Sequence, residues 1–321
     1  MTAATLPSLV THSGTFHCDD AFAYAVLCAA LGLTEPDRDH TLTRTRDPAV
    51  IAAADYVWDV GAAYDAGAGR FDHHQRGAPR RDDGLPFSAA GLVWRTHGEA
   101  AVRALLDPEA APLAPAIAAV IDAEVVRRID AIDNGVAHPE DTLGLAALIE
   151  DCNPAWDSPF IGDPDAEDAA FLEATDLAAD VLHRRVAVLR ARLAADAVVL
   201  AAHRQAADPR ILELACKLPW QAAVFAHDLP VLFAVYPMPA GTWMVDAMPP
   251  EPGSYAQRVP LPAAWAGLRD AELAALSGVA DAVFVHPQRF VGGARSRAGA
   301  LAMARQAIDG PVGENGTVPV A

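Results

Sequence analysis

A chain of 321 residues, 52% apolar and 21% charged, carries enough apolar side chain for more than one core and too much for a disordered or low-complexity polymer. Its 42 acids against 24 Lys and Arg leave a net charge of −18, the wrong sign for coating extended duplex DNA or an anionic membrane. A local basic pocket is compatible with that charge, and so are bound divalent cations that offset part of it.

The opening segment, MTAATLPSLVTHSGTFHCDD, has no basic region ahead of its first apolar residues and does not read as a signal peptide. Residues 8–10 predict a short strand, and an Ala-rich helix follows over 19–33. DYVWDV at 55–60 predicts a second strand and residues 69–74 a short third. Ser88, a favourable N-cap residue, opens a helix through Trp94. Strand, helix and strand at this spacing predict βαβ units, hence an α/β fold with a largely parallel sheet flanked by helices. Over 165–206 the pattern becomes one long helix, with Phe171, Ala174, Ala178, Val181, Leu182, Arg185 and Leu189 on a single stripe. It reads as the link between two domains. Beyond it, 211–214, 231–236, 243–247 and 282–286 predict strands, followed by a Gly-containing loop and a helix over 296–308. The chain therefore divides into a first α/β domain over 1–165, a linker helix over 166–206 and a smaller mixed α/β domain over 207–321. The richest apolar run, 222–238, is interrupted by His227, Asp228 and Pro230 and cannot span a bilayer. Cys18, Cys28, Cys152 and Cys216 form no CxxC pair, which points to free thiols in a reducing cytoplasm.

Four segments concentrate metal-ligating side chains. They are HSGTFHCDD (His12, His17, Asp19, Asp20), Asp59 at the end of VWDVG, the run Asp72-His73-His74, and IDAIDNG (Asp130, Asp133). Any one of them also reads as a cap, a solvated loop or a polar helix face. Together they place acids and imidazoles at the carboxyl ends of parallel strands, where open α/β sheets bind ligands. Carboxylates so close repel one another unless a cation neutralises them, and two divalent ions sharing one carboxylate would satisfy the set. No G-x-S-x-G, G-x-G-x-x-G or Walker sequence supports a serine hydrolase or a nucleotide cofactor.

THSGTFHCDD, VWDVG, FDHHQRG and IDAIDNGV, in this order, resemble the melanocyte-proliferating-gene family of metal-dependent hydrolases, itself similar to the DHH phosphoesterase superfamily. The resemblance continues through FSAAGLVW (87–94), CNPAWDSPF (152–160), LPAAWAGLRDAEL (261–273) and FVHPQRFVGGARSRAGAL (284–301), nearly the whole chain. Departures are small: Asp20 stands where the acid is often Glu, and Cys152 precedes Asn153 where an apolar residue is usual.

The resemblance implies a site for two divalent cations. His12, His17 and Asp19 stand as ligands, Asp59 as the bridging carboxylate, and His73 with Asp133 on the second metal. Asp130 remains the alternative to Asp133. His17 replaces an Asp of related pyrophosphatases, which favours Mn²⁺ over Mg²⁺ without fixing the native metal. Asp72 would orient an imidazole, and His74 would face the substrate phosphate while a metal-bridging hydroxide attacks phosphorus. From the second domain, His286, Gly292, Gly293, Arg295 and Arg297 would contact phosphate, although the glycine pair alone also reads as a strand-to-helix turn beside solvated arginines. The implied activity is a 3′→5′ exonuclease on short RNA or single-stranded oligonucleotides. A pyrophosphatase, a small-nucleotide phosphohydrolase and a non-catalytic metal-binding protein are the alternatives, and a homodimer is compatible with each. His40, His97, His138, His183, His203 and His227 read as ordinary residues, and Trp156, Trp220 and Trp265 as buried packing rather than base stacking.

Overall fold

The computed structural model describes residues 6–138 and 142–310; residues 1–5, 139–141 and 311–321, which the expected domains include, lie outside them. The first predicted strand forms as β1 (Ser8–Thr11), and α1 (Cys18–Leu31) follows it. Then come β2 (Thr41–Arg44), α2 (Pro48–Ala53), β3 (Tyr56–Trp58), β4 (Tyr64–Asp65) and β5 (Arg70–Phe71). The strands pair in the order β2-β1-β3-β5-β4. Four run parallel, with Leu9 opposite Leu42 and Tyr56, and Trp58 opposite Phe71; only the edge strand β4 is antiparallel. The largely parallel α/β sheet is thus present, and its carboxyl edge collects the residues that follow each parallel strand.

Helices α3 (Ala89–Ala104), α4 (Ala114–Ile121), α5 (Arg127–Asp133) and α6 (Leu145–Glu150) complete the layers, α4 and α5 being joined by five π-helical residues, Asp122–Val126. Phe22 of α1 meets Trp94 of α3 with ring centroids 6.1 Å apart. Trp58 stacks on Tyr24 at 5.9 Å and donates its indole N–H to the Asp20 carbonyl at 3.1 Å, tying the sheet to the helix that carries the acids. Ser88 does stand at the N-cap of α3, but its hydroxyl makes no cap bond to the first turn, and the helix runs ten residues past Trp94.

The long helix is α7 (Pro164–Gln205), and two compact units divide inside it, at Arg190/Ala191. In the first unit Phe171, fully buried, packs edge-on against Phe16 at 5.4 Å, a burial worth about 1.5–3 kcal/mol. In the second unit Val199 joins a core with Leu212, Trp220, Val224 and Tyr236.

That unit contains β6 (Ile211–Glu213), α8 (Trp220–Ala226), β7 (Phe233–Pro237), β8 (Trp243–Ala247), α9 (Asp270–Ser277), β9 (Ala282–Val285), β10 (Val291–Ala294) and α10 (Arg297–Asp309). The sheet order is β6-β7-β8-β10-β9, with β6 parallel to β7 and the other pairs antiparallel. Phe233, Val235 and Val245 face α10, while Ala234 and Tyr236 face α8, the two-residue alternation of a sheet covered on both sides.

The segment expected as a Gly-containing loop is instead strand β10. A glycine pair signals a turn in sequence, yet here it answers a packing constraint. A Cβ on Gly292 would lie 3.0 Å from both Leu261 Cδ1 and the Phe284 carbonyl oxygen, and one on Gly293 would lie 3.0 Å from Phe284 Cε1. Trp220 and Trp265 are buried as expected, but Trp156 is 85% exposed. Among the described residues no helix is long and apolar enough to cross a membrane.

Candidate metal centre

Each parallel strand of the first sheet delivers a polar side chain to the same edge. His12 follows β1, Asp59 follows β3 and Asp72 follows β5; Arg44 ends β2, with Arg46 two residues on. Asp59 leaves its strand with φ of 54°, a left-handed conformation that Asp tolerates better than most residues. Asp19 and Asp20 occupy the first turn of α1, where the unpaired N–H groups favour negative charge.

His12 is buried, with Nε2 3.0 Å from Asp20 Oδ2 and 3.2 Å from Asp59 Oδ2. Its Nδ1 lies 3.2 Å from the Ser13 carbonyl oxygen and 3.3 Å from Arg46 Nη2. Asp20 Oδ1 accepts from Thr11 Oγ1 at 3.0 Å, and Oδ2 accepts the His17 backbone N–H at 2.9 Å. Across the cluster, His73 Nε2 is 3.1 Å from Asp59 Oδ1 and 3.4 Å from Asp133 Oδ2. Asp59 thus turns one oxygen to each side. Potential ligand atoms of Asp19, Asp20 and Asp59 lie within 4.8 Å of one another, as do those of Asp59, His73 and His74, and those of His17, Asp19 and Asp133.

Asp130 and Asp133 separate cleanly. Asp133 faces Asp19 and His73. Asp130 is fully buried and already committed: Oδ1 accepts the Ser88 N–H at 2.9 Å and its hydroxyl at 2.8 Å, and Oδ2 accepts Arg81 Nε at 2.6 Å. Arg81 also grips Asp122 through both terminal nitrogens, at 2.7 and 2.8 Å. Of the two acids, Asp133 is the one with an oxygen lacking a hydrogen-bond partner beside His73, and Asp130 joins α5 to the start of α3. The N-terminal N–H of that helix, on Ala89, points at Asp19 Oδ2 from 3.2 Å.

Asp72 is also buried. Its Oδ1 accepts the backbone N–H groups of His73 and His74, at 2.7 and 3.1 Å, and stands 2.7 Å from His74 Nδ1; Oδ2 accepts the Ala62 N–H at 2.5 Å. Burial pushes the Asp72 carboxyl up, but these donors outweigh it and hold it below the usual carboxylate range. His74 itself is 61% exposed, and His17 is the other exposed imidazole of the cluster.

The donor set fits divalent cations. Asp19 Oδ1 and Asp133 Oδ2 are buried yet lack hydrogen-bond partners, an expensive state that a cation would relieve. Burial and the charge of Asp20 raise the Asp19 carboxyl, and burial with Asp19 and Asp20 raises Asp59. Burial and then Asp19 push Asp133 up to about 9. Burial pulls the His12 imidazolium down, but hydrogen bonds and charge from Asp20 and Asp59 overcome it and lift its pKa to about 10. Acids that resist ionising and an imidazole that resists losing its proton together describe a site short of positive charge. His12, His17, Asp19, Asp20, Asp59, His73 and Asp133 are the residues that can hold the ions. Asp20 is missing from the ligand set read from sequence; its adjacency to Asp19 was the available signal.

Two cavities border the cluster. One, of about 310 Å³, is lined by His17, Cys18, Asp19, Ile132 and Asp133. The other, of about 660 Å³, is lined by His12, His17, Arg46, Asp59, Arg70 and His74.

The phosphate contacts expected in the second unit are arranged differently. Arg295 and Arg297 are exposed; Arg295 pairs with Asp270 at 3.1 Å and Arg297 with Glu213 through two nitrogens. His286 accepts the Gln288 N–H at Nδ1, 3.1 Å away, and meets the Phe290 ring at 4.5 Å with the planes tilted by 51°. Gly292 and Gly293 are buried in β10, where neighbouring side chains and carbonyls fill the space a ligand would need.

Comparison with known proteins follows these observations. The MYG1 exonuclease family model, described as an uncharacterised protein family (UPF0160), matches residues 8–308. The chain is 35% identical to the human MYG1 exonuclease over 330 residues, covering 94% of this chain and 86% of that protein. The bovine MYG1 exonuclease is 35% identical over 334 residues, covering 94% and 84%. A Caenorhabditis elegans MYG1 protein is 33% identical over 345 residues, 96% of each chain. No solved structure matches the chain.

Proposed function

The chain belongs to the MYG1 exonuclease family, and on that premise we propose that it is a metal-dependent exonuclease removing nucleotides from the 3′ end of short single-stranded RNA or oligonucleotides. The supporting observation is the convergence of Asp19, Asp20, Asp59 and Asp133 with His12, His17 and His73, two of the carboxylate oxygens being buried without a hydrogen-bond partner. Two divalent cations, with Mn²⁺ preferred because three imidazoles join the acids, would supply charge neutralisation at phosphorus and a water acidified to act as hydroxide.

The protein groups have separable tasks. Asp59 presents one oxygen to each half of the ligand set and fixes their spacing. Asp72, held by three backbone N–H groups, fixes the Nδ1 side of the His74 ring and leaves Nε2 for a phosphate oxygen. An Nε2–H of His74 would then neutralise charge that develops on that oxygen, or pass its proton to the leaving 3′ alkoxide oxygen to form the hydroxyl. The exposed Arg295 and Arg297, with His286, are the groups of the second unit available to a phosphate once Asp270 and Glu213 are displaced. Thiols that are all free suit a reducing cytoplasm.

The deciding experiment offers RNA labelled at either end, single-stranded DNA, duplex DNA and pyrophosphate, each with Mn²⁺, Mg²⁺ or chelator. The expected result is Mn²⁺-dependent shortening of 5′-labelled RNA in one-nucleotide steps, with immediate release of the 3′ label. Turnover of pyrophosphate alone would replace the nuclease by a pyrophosphatase, and no turnover of any substrate would leave a metal-binding protein.

A further inference from the structure

Resting on the exonuclease reading, we propose that Arg46 grips a backbone phosphate of the substrate strand in the 660 Å³ cavity beside Asp59 and His74. The argument begins with topology. In a parallel sheet every strand delivers its following residues to the carboxyl edge, and β1, β3 and β5 each contribute one polar side chain to the centre there. The remaining parallel strand, β2, contributes the segment that carries Arg46.

The charge inventory of that cavity singles Arg46 out. Its only other permanent cation, Arg70, is spent on backbone, donating to the carbonyls of Ala54 at 2.8 Å, Ala68 at 2.9 Å and Asp55 at 3.2 Å, with two longer contacts. Arg46 is exposed and has no carboxylate partner among the described residues; its one polar contact is His12 Nδ1, at 3.3 Å. A phosphodiester approaching Asp59 meets strong negative charge, and a planar cation on the same wall offers it a charge-assisted, two-pronged contact. Pyrophosphate would present the same chemistry, so oligonucleotide and pyrophosphate serve as separate arms of the test.

The test compares wild type with Arg46→Gln and Arg46→Lys. Its readouts are kcat and KM on a short single-stranded RNA and on pyrophosphate with Mn²⁺ at several salt concentrations, binding of the same RNA by anisotropy, and bound metal per chain. Arg46→Gln should raise KM and Kd roughly ten- to a hundredfold, flatten the log–log salt slope by about one, and leave metal content unchanged. Arg46→Lys should recover part of the loss. Three results overturn the proposal: unchanged RNA binding; a fall in metal content with kcat lost on every substrate, which would make Arg46 a support for His12; or an effect on pyrophosphate alone. If wild type cleaves nothing, the exonuclease reading fails, and the anisotropy arm still decides whether Arg46 holds the strand.

Discussion

Replacing Asp130 by Ala and Asp133 by Asn tests whether two acids one helical turn apart do unrelated work. Removing Asp130 leaves the Ser88 N–H, the Ser88 hydroxyl and Arg81 Nε without their acceptor, at a position with no solvent access. Breaking a buried ion pair costs about 3–5 kcal/mol, and an orphaned buried N–H about 1–3. Arg81 keeps its two contacts to Asp122, so its charge is not stranded, and the combined loss should stay near 3–5 kcal/mol. At about 2–4 °C per kcal/mol for a unit of this size, Tm should fall by roughly 6–20 °C. Asp133→Asn should do the opposite. Its carboxyl, held near pH 9 by burial and Asp19, already resists ionisation in metal-free protein, so a neutral amide should leave Tm in chelator unchanged or slightly raised. Metal content should drop by one ion per chain. Differential scanning fluorimetry in chelator, with elemental analysis of Mn²⁺-loaded protein, reads both effects. A stable Asp130→Ala variant that has lost an ion, or an Asp133→Asn variant that keeps both, would refute the division.

Asp59→Ala should lose both ions, because its two oxygens face opposite halves of the ligand set; retention of two tightly bound ions would remove its bridging role. His74→Ala should keep its metals and fold yet lose at least about 10²-fold in kcat, a loss typical of one transition-state contact, with unchanged turnover as the contrary result. Metal-free protein should lose stability as pH rises. His12 (6.5 raised to about 10) and Asp133 (3.8 raised to about 9) have folded pKa values above their unfolded ones, so each contributes stability fully below the unfolded value and loses it through the folded one. Tm in chelator should therefore fall between about pH 7 and 10, and a flat profile would contradict the assigned environments. Gly293→Ala should destabilise the second unit by about 1–3 kcal/mol without changing metal content, since its Cβ must displace Phe284, Thr242 or the Trp243 carbonyl. Arg295→Ala should change stability by no more than about 1 kcal/mol while raising KM on RNA roughly tenfold; an unchanged KM would leave it a surface ion pair.

What could be read before folding follows a physical rule. β1 and β3 announce themselves because Leu9, Val10, Val57 and Trp58 are apolar and buried, and the motifs behind them carried the resemblance to the family. β2, TLTR, has half-exposed threonines and no apolar run, so it escaped notice, and Arg46 with it. The β10 segment looks like a loop in sequence because a glycine pair has the same appearance whether it turns the chain or makes room for Phe284 and Leu261. Asp130 and Asp133 share a motif, and only the folded chain brings Arg81, forty-nine positions away, onto one of them. The long helix was legible from its stripe; that Phe171 would pack on Phe16 was not.

The π-helical turn at Asp122–Val126 bears on which changes of chain length this fold can absorb. Each residue advances an α-helix by about 100°, and a π-turn accommodates one residue more than an α-turn before the next helix begins. Deleting a single position there, Ala123 for instance, would let the segment close as ordinary α-helix. The residues beyond it would then keep their facing, Asp130 toward Ser88 and Asp133 toward His73, whereas the same deletion among the α-helical residues Arg127–Ile129 would swing both acids by about 100°. A one-residue deletion in the turn removes the bulge alone, whereas one in α5 ahead of Asp130 displaces the Arg81 and Ser88 anchor and the acid facing His73 together. The reading frame of α5 against the sheet is thus set by a count of residues, and descent should accept the loss of one residue at Asp122–Val126 while sparing the length of Arg127–Asp133.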